Sequence, residues 1–553
     1  MKRSYWYALA ALIILSILVR TYPLFSHSLW GMDAGEYVYY TKQWIVSGSM
    51  HRSIDGWAGA YPFFPGLFSL SGSFHLLTGI GVYESVSFTP VILSSLVPLI
   101  VFLLVYRISL HKTASLLSAA FLTFIVPFVY SHSQPKPETL GFFLMVFILW
   151  MTFTVSKENF KRFLPLLVLF SAALIITHHL SSFFLIIFLL GGYFFSELLR
   201  TRTLWENKFR GWFYLGFTTA TLLYWSFGAP VFRDQRLLGT LGFPSYSIVL
   251  APYAVIIFAY LIINLRRKIS WKPEVDLSGD ELSEKAIFSV ILSAIIIGIL
   301  VYSSFVNIPG TDIVLETDIL LYSPLLLFGI FALFSSALLL NLREGTSVLG
   351  WILAACFTFI LGVITGSSSL YTIRQVAFFM LPLAVLFGIG TIWFHNLTDP
   401  FSKRTKVLAL CIIILLAWNV PLMYPSQETA GGYVEWTDHD AIEASYWARY
   451  SVNDNILTDH RLSGAIFSTG KLNVSWTEGE PAYFSDSVQE AEETISHLDV
   501  KYIMMDRCMI KGAAVTEGTN PEPVNPVLLK WYRSGYAVYR GENTELYLIP
   551  LGG

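Results

Sequence analysis

Uninterrupted apolar runs of membrane-spanning length dominate the chain, among them 91–106 (VILSSLVPLIVFLLVY) and 407–419 (VLALCIIILLAWN), with short polar segments between them. Hydropathy places spans at about 5–24, 88–106, 113–130, 139–155, 163–177, 181–199, 212–228, 247–265, 286–303, 319–341, 349–365, 375–393 and 407–423, thirteen in all. The first reads as a retained span: the stretch after Lys2-Arg3 runs long, carries Arg20 and lacks a small-residue cleavage site. The pair around Thr177-His178-His179 reads either as two spans or as one broken hairpin, and the side on which the chain ends is the same either way. Past Pro421 the pattern changes. Residues 441–450 predict an amphipathic helix, 455–458 and 501–505 short strands, and 537–540 with 545–549 a hairpin across Gly541-Glu542-Asn543. The predicted fold class is an α-helical polytopic membrane protein with a small C-terminal α/β domain, divided at residues 1–423 and 424–553.

Composition strengthens this picture. Of 553 residues 54% are apolar, only 13% are charged, and the mean hydropathy is +0.59; soluble chains carry about 25% charged residues. A disordered chain, a collagen and a basic nucleic-acid binder are excluded. The net charge of −2 conceals an asymmetry, since residues 1–423 hold 27 Lys/Arg against 19 Asp/Glu and residues 424–553 hold 9 against 19. Alternate connecting segments carry 20 Lys/Arg and the intervening ones 6. The positive-inside rule therefore predicts a multi-pass protein of the cell membrane with a cytoplasmic N-terminus and an extracytoplasmic tail. Cys356, Cys411 and Cys508 form no pattern suited to a disulfide framework.

Polar groups gather on the predicted outer side, where ionisable residues near a membrane point to function. The segment after the first span opens Gly31-Met32-Asp33-Ala34-Gly35-Glu36-Tyr37. Asp33 and Glu36, three apart, would lie on one side of a helix; a helix cap at the membrane edge is the plainer role for an isolated Asp. The aromatic and Pro-rich stretch around Trp57 and Tyr61-Pro62-Phe63-Phe64-Pro65 suits the membrane interface. Between spans three and four lie His132, Lys136 and Glu138, with Pro135 and Pro137 stiffening the backbone. His178-His179 ends the fifth span on the same side, and such a pair can donate to phosphate or ligate a metal. Asp312, Glu316 and Asp318 share a loop with Asn307-Ile308-Pro309-Gly310, and Arg374 stands at the outer mouth of an apolar helix, where a guanidinium fork suits phosphate oxygens. Singly each has a structural alternative: a turn, a snorkelling side chain or solvated loop charge. Their convergence on one face describes an outward catalytic cavity.

An acidic motif after span one, a polar cluster between spans three and four, Tyr371-Thr-Ile-Arg374-Gln-Val-Ala-Phe-Phe-Met-Leu-Pro382 and an external tail together resemble the GT-C superfamily of integral-membrane glycosyltransferases. The layout is similar to that of oligosaccharyltransferase catalytic subunits and of dolichyl-phosphate-mannose protein mannosyltransferases. The resemblance implies a GT-C-like fold of about thirteen transmembrane helices. It also implies transfer of a sugar from a polyprenyl (dolichyl) phosphate donor to a protein, lipid or glycan acceptor. Asp33, with Glu36, would be the catalytic acid pair. Arg374 and Lys136, with His178 and His179, would hold the donor phosphate, and Glu316 would match a mobile-loop acid. Activation by these cations alone and activation by a divalent metal (Mg or Mn) on Asp33, His132 and Glu138 both stay open. Two departures are plain. The tail reads Asn455-Ile-Leu-Thr458-Asp459-His460-Arg461-Leu-Ser-Gly464 where oligosaccharyltransferases carry Trp-Trp-Asp-Tyr-Gly, and the second outer segment lacks Asp-x-Asp. These favour a lipid-phosphate-sugar glycosyltransferase over transfer of a lipid-linked glycan to asparagine. A secondary transporter, the reading from another class, would place paired charges at mid-membrane and show repeated halves, and neither is found. Asn473-Val474-Ser475 fits an N-glycosylation acceptor pattern on the outer side.

Overall fold

The structure, a computed structural model, describes residues 3–50, 56–156, 158–198, 208–234, 344–365, 372–397, 434–477, 479–516 and 522–549, with residues 339, 342, 416, 420, 423 and 424 besides. In chain order these form α1 (Arg3–Ser26), β1 (Leu29–Trp30), α2 (Ala34–Ser47), a 3-10 turn (Gly56–Phe63), α3 (Gly66–Thr78), α4 (Val82–Ser94), α5 (Val97–Ser109), α6 (Lys112–Phe124), α7 (Val126–Ser133), α8 (Pro137–Thr154), α9 (Phe160–Ile175), α10 (His179–Leu198) and α11 (Lys208–Leu223). After them come α12 (Gly345–Thr365), α13 (Thr372–Leu397), β2 (Trp436–Thr437), α14 (His439–Ser451), β3 (Asn455–Leu457), α15 (His460–Thr469), β4 (Val474–Ser475), α16 (Glu480–Phe484) and α17 (Val488–His497). The chain closes with β5 (Val500–Asp506), α18 (Arg507–Lys511), α19 (Pro526–Ser534), β6 (Tyr536–Arg540) and β7 (Thr544–Leu548).

Among the described residues four helices are long and apolar enough to cross a membrane: Tyr5–Ser26, Val82–Ser109, Pro137–Thr154 and His179–Leu198. The second of these, α4 continued by α5, begins six residues before the expected 88–106 span. The expected span at 113–130 is not straight; α6 and α7 meet at a bend of 59°. Pro127 explains it, because it lacks an N–H and its ring clashes with the carbonyl four residues back. The expected spans at 247–265, 286–303, 319–341 and 407–423 lie all but entirely outside the described residues.

The chain divides into two compact units, one of residues 1–19, 93–131 and 140–423, the other of residues 20–92, 132–139 and 424–553. In the first, α10 and α12 cross with almost no side chain between them. A Cβ on Gly350 would lie 2.3 Å from the Gly191 oxygen and 2.7 Å from Gly192 Cα. Small residues allow that approach, and the hydroxyl of Ser196 bonds those of Thr346 and Ser347, each at 3.0 Å. Phe184 stacks on Phe378 at 4.2 Å, joining α10 to α13. Buried Arg210 pairs with Glu344 at 3.1 Å and donates to the carbonyls of Phe153 and Val155.

The second unit contains a five-stranded sheet in the order β4-β3-β5-β7-β6. Its β4, β3 and β5 are parallel, and β5, β7 and β6 are antiparallel. The predicted strands at 455–458 and 501–505 and the hairpin are all present. Asp440 fixes the hairpin turn by accepting from the backbone N–H groups of Glu542 and Asn543 at 3.0 and 2.8 Å. Ile456, Leu462, Ile466, Ile503, Met504, Leu528, Tyr532 and Leu546 form the core between sheet and helices. The segments distant in sequence are stitched in by backbone and side chain alike. β1 pairs antiparallel with β2, the Trp30 indole N–H donates to Ser133 Oγ at 3.0 Å, and Gln134 bonds Glu435.

The contact that sets the relation of α2 to α15 is glycine on glycine. A Cβ on Gly35 would lie 1.8 Å from the Gly464 carbonyl oxygen and 2.2 Å from its carbon, while a Cβ on Gly464 would lie 2.9 Å from the Met32 oxygen. Backbone cannot give way as a flexible side chain can. Lys42 pins the far end of the crossing, donating to the Ser468 carbonyl at 2.8 Å and lying over the Tyr83 ring. Replacing Gly35 by Ala is expected to cost about 3 kcal/mol, the upper end for overpacking. The check is thermal unfolding of the purified protein, where an unchanged unfolding temperature would mean that the crossing is not so constrained.

Candidate functional site

Asp33 occupies the N-cap position of α2, yet its side chain makes no capping hydrogen bond. The capping role open to an isolated Asp is therefore not the one it plays. Its Oδ2 accepts from the hydroxyls of Tyr61 and Tyr37 at 3.1 and 3.2 Å. Its Oδ1 lies 3.2 Å from Nε2 of His460, the first residue of α15. The imidazole stacks on Trp476, centroids 4.0 Å apart and planes 6° from parallel. Tyr37 and Tyr61, which hold the acid, pack edge to face on each other and against Tyr40 and Phe68.

Glu36 stands one helical turn further on, within the wholly buried stretch Ala34–Thr41, and is only 3% exposed. Burial, with the neighbouring Asp33 charge, pushes its pKa up to about 8, opposed in part by His460. For His460, burial disfavours the charged ring, but the hydrogen bond and charge of Asp33, with Glu36 and Asp459, outweigh it and raise the pKa above the ordinary 6.5. At neutral pH the cluster thus holds a protonated Glu36 beside the contact of Asp33 with His460.

Behind His460 lies a buried ion network. Arg461, 2% exposed, meets Asp506 at 2.7 Å and Asp459 at 3.8 Å, and donates to the Trp436 carbonyl at 3.3 Å. Each acid also caps a helix: Asp459 Oδ1 accepts from Leu462 N–H and Asp506 Oδ1 from Met509 N–H, both at 2.9 Å. One guanidinium therefore fixes the starts of α15 and α18 together.

The remaining sequence-predicted residues fall as follows. Lys136 faces Glu138 at 3.8 Å, with Glu138 and His132 buried in the same compact unit as Asp33. Asp33, His132 and Glu138 do not form a ligand set: among the described residues no group of three His, Cys, Asp or Glu side chains is placed to hold a metal. His178 and His179 belong to the other unit. His178 Nδ1 accepts from the Ser181 N–H at 3.2 Å and bonds its hydroxyl at 2.9 Å, which is helix capping at the start of α10, and His179 packs on Phe232. Arg374 is in the first turn of α13, its side chain outside the described residues, and Glu316 with Asp312 and Asp318 lies outside them altogether. Sequence reasoning missed Tyr37, Tyr61, Trp476 and above all His460. The one signal for His460 was its position two residues after a predicted strand, in the stretch that departs from the oligosaccharyltransferase pattern.

No family model matches the chain, and no curated protein matches it in sequence. Solved structures do match in fold. The oligosaccharyltransferase of Archaeoglobus fulgidus in its apo form superposes with a TM-score of 0.61 at 15% identity, over 92% of this chain and 70% of that one. Its complex with an inhibitory peptide and a dolichol-phosphate gives 0.57 at 14%, over 91% and 69%. Its complex with zinc and sulfate gives 0.61 at 16%, over 99% and 74%. The chain is a multi-pass membrane protein that shares the fold of this archaeal oligosaccharyltransferase.

Two outcomes follow from the cluster. The folded state keeps protons on Glu36 above pH 4.5 and on His460 above pH 6.5 that the unfolded chain gives up, so their stabilisation is complete at low pH and is lost as pH rises through the raised values. The unfolding temperature should fall as pH is raised from about 6 to about 9, and Glu36→Gln should flatten that fall; a rise over the interval would contradict the assignment. Arg461→Met leaves two buried carboxylates uncompensated and should cost about 3–5 kcal/mol, measured as loss of stability in denaturant.

Proposed function

We propose that the protein is a membrane glycosyltransferase that moves a sugar from a polyprenyl (dolichyl) phosphate-linked donor to an acceptor at the outer face of the membrane. The observation that carries this is Asp33: a carboxylate directly after the first span, kept from its helix-capping role, held by two tyrosines and a histidine, in a chain with a GT-C fold. In this reading the acceptor O–H is oriented by Asp33. Its oxygen bonds to the anomeric carbon as the bond from that carbon to the phosphate oxygen breaks; the phosphate leaves with the electron pair and the proton passes to the Asp33 carboxylate. Glu36, protonated at neutral pH, limits the negative charge beside Asp33. Lys136 and Arg374 would neutralise the departing phosphate. Residues 1–423 would form the membrane domain and 424–553 the domain outside it, with the N-terminus cytoplasmic, as the basic-residue asymmetry supports.

The Archaeoglobus enzyme was crystallised with zinc and sulfate, which supports a place for a divalent metal in this fold. The described residues of this chain gather no three-ligand set, so every step above uses its own side chains. A second reading, transfer of a lipid-linked glycan to protein, is favoured by the complex of that enzyme with a peptide and dolichol-phosphate. The missing Trp-Trp-Asp-Tyr-Gly stretch weighs against it.

The test is to incubate the purified protein in lipid with radiolabelled polyprenyl-phosphate sugars, with and without EDTA, and to follow release of sugar from the carrier. Wild type should turn over at least one donor, and Asp33→Asn should lose about 100-fold or more. Full activity in that variant would remove Asp33 from the reaction. Turnover only with a diphosphate-linked glycan and a peptide acceptor would install the second reading, and loss in EDTA would establish a metal requirement.

A further inference from the structure

We infer that His460, supplied by the C-terminal part of the chain, is the positioning residue of Asp33, so that the tail forms part of the reaction centre. The inference rests on the glycosyltransferase reading for its kinetic consequence but on geometry for its substance. Asp33 is gripped at both oxygens, Oδ2 by Tyr61 and Tyr37 at 3.1 and 3.2 Å and Oδ1 by His460 at 3.2 Å. Two tyrosines on one oxygen leave the carboxylate free to swing about the bond to its ring of donors; a third donor on the other oxygen stops it. The first two come from the same outer segment as Asp33, and only the third comes from the tail.

His460 is itself held from three directions. Its ring lies flat on Trp476 at 4.0 Å, its backbone N–H donates to the Val515 carbonyl at 2.9 Å, and its helix is seated on α2 by the contact of Gly35 with Gly464. The two glycines lie two residues after Asp33 and four residues after His460, so the closest approach of the helices is one turn from the pair they bring together. The neighbours on either side, Asp459 and Arg461, are committed to the buried ion network. The His460 side chain, by contrast, is 17% exposed and the Asp33 side chain 25%, so the pair meets the solvent-accessible side of a site whose supports are buried. Packing does not require a histidine here: Gly35 with Gly464 and Lys42 with Ser468 already fix the crossing at both ends. What the imidazole adds is an N–H aimed at one carboxylate oxygen. Fixing a reacting group to within a fraction of an ångström is worth about 100-fold in rate.

The experiment compares His460→Ala, His460→Gln and Trp476→Leu with wild type in the sugar-release assay, together with their unfolding temperatures. His460→Ala should lower kcat by about 10- to 100-fold with KM for the lipid donor little changed. His460→Gln, which offers an amide N–H from the position of Nε2, should recover most of the loss, and Trp476→Leu should lower kcat while the protein stays folded. A folded His460→Ala with wild-type kcat overturns the inference, as does equal loss in His460→Ala and His460→Gln. Where His460→Ala does not fold, Trp476→Leu and His460→Gln decide by the same criterion. A measurement independent of turnover separates this from the proposed activity. In protein labelled with 15N at histidine, the Nε2 resonance assigned by its loss in His460→Gln should move in Asp33→Asn. If no donor is turned over by wild type, the glycosyltransferase reading fails, and that resonance alone judges the positioning: movement upholds it and no movement overturns it.

Discussion

Two glycines meeting backbone to backbone hold the site together. The carbonyl of Gly464 occupies the space in which any side chain at residue 35 would begin, so α2 and α15 approach more closely than helices with side chains between them can. Everything chemically distinctive follows from that approach. It brings the first residue of α15 to the first acid after the first span, buries Glu36 and lets Lys42 reach the end of α15. An ordinary crossing distance of about 8–10 Å would leave Asp33 and His460 as two unrelated surface residues.

The supports around this contact are electrostatic and expensive. Arg461 lies between two buried acids, a combination whose desolvation cost rivals its attraction, so it contributes less to net stability than to fixing one arrangement. The arrangement fixed is the start of two helices and the link to the strand at Trp436. Glu36 is the complementary case, an acid that stays protonated near neutrality chiefly because it is buried, with the neighbouring Asp33 charge adding to the effect. Two carboxylates three residues apart thus stand in different surroundings, Glu36 buried and Asp33 a quarter exposed.

The polar segments that hydropathy scatters along the chain are sorted by the structure. Residues 20–92, those around His132 and the tail share one compact unit, stitched by the β1 and β2 pairing and by Trp30 with Ser133. His178, which sequence grouped with phosphate ligands, is engaged as a helix cap by Ser181. A histidine before an apolar helix carries no mark that tells the two roles apart, because capping depends on a backbone N–H three residues on being turned toward it.

Sequence by itself determined the membrane class and the tail strands, since each depends on local periodicity and charge density. One of its expectations needed correction by local sterics: Pro127 breaks the third span. Tertiary structure alone decided what Asp33 touches. Tyr37 and Tyr61 are close in sequence but point inward only because of the fold, and His460 comes from the far end of the chain. No local pattern encodes that partnership, because it exists only where two backbones meet at a pair of glycines.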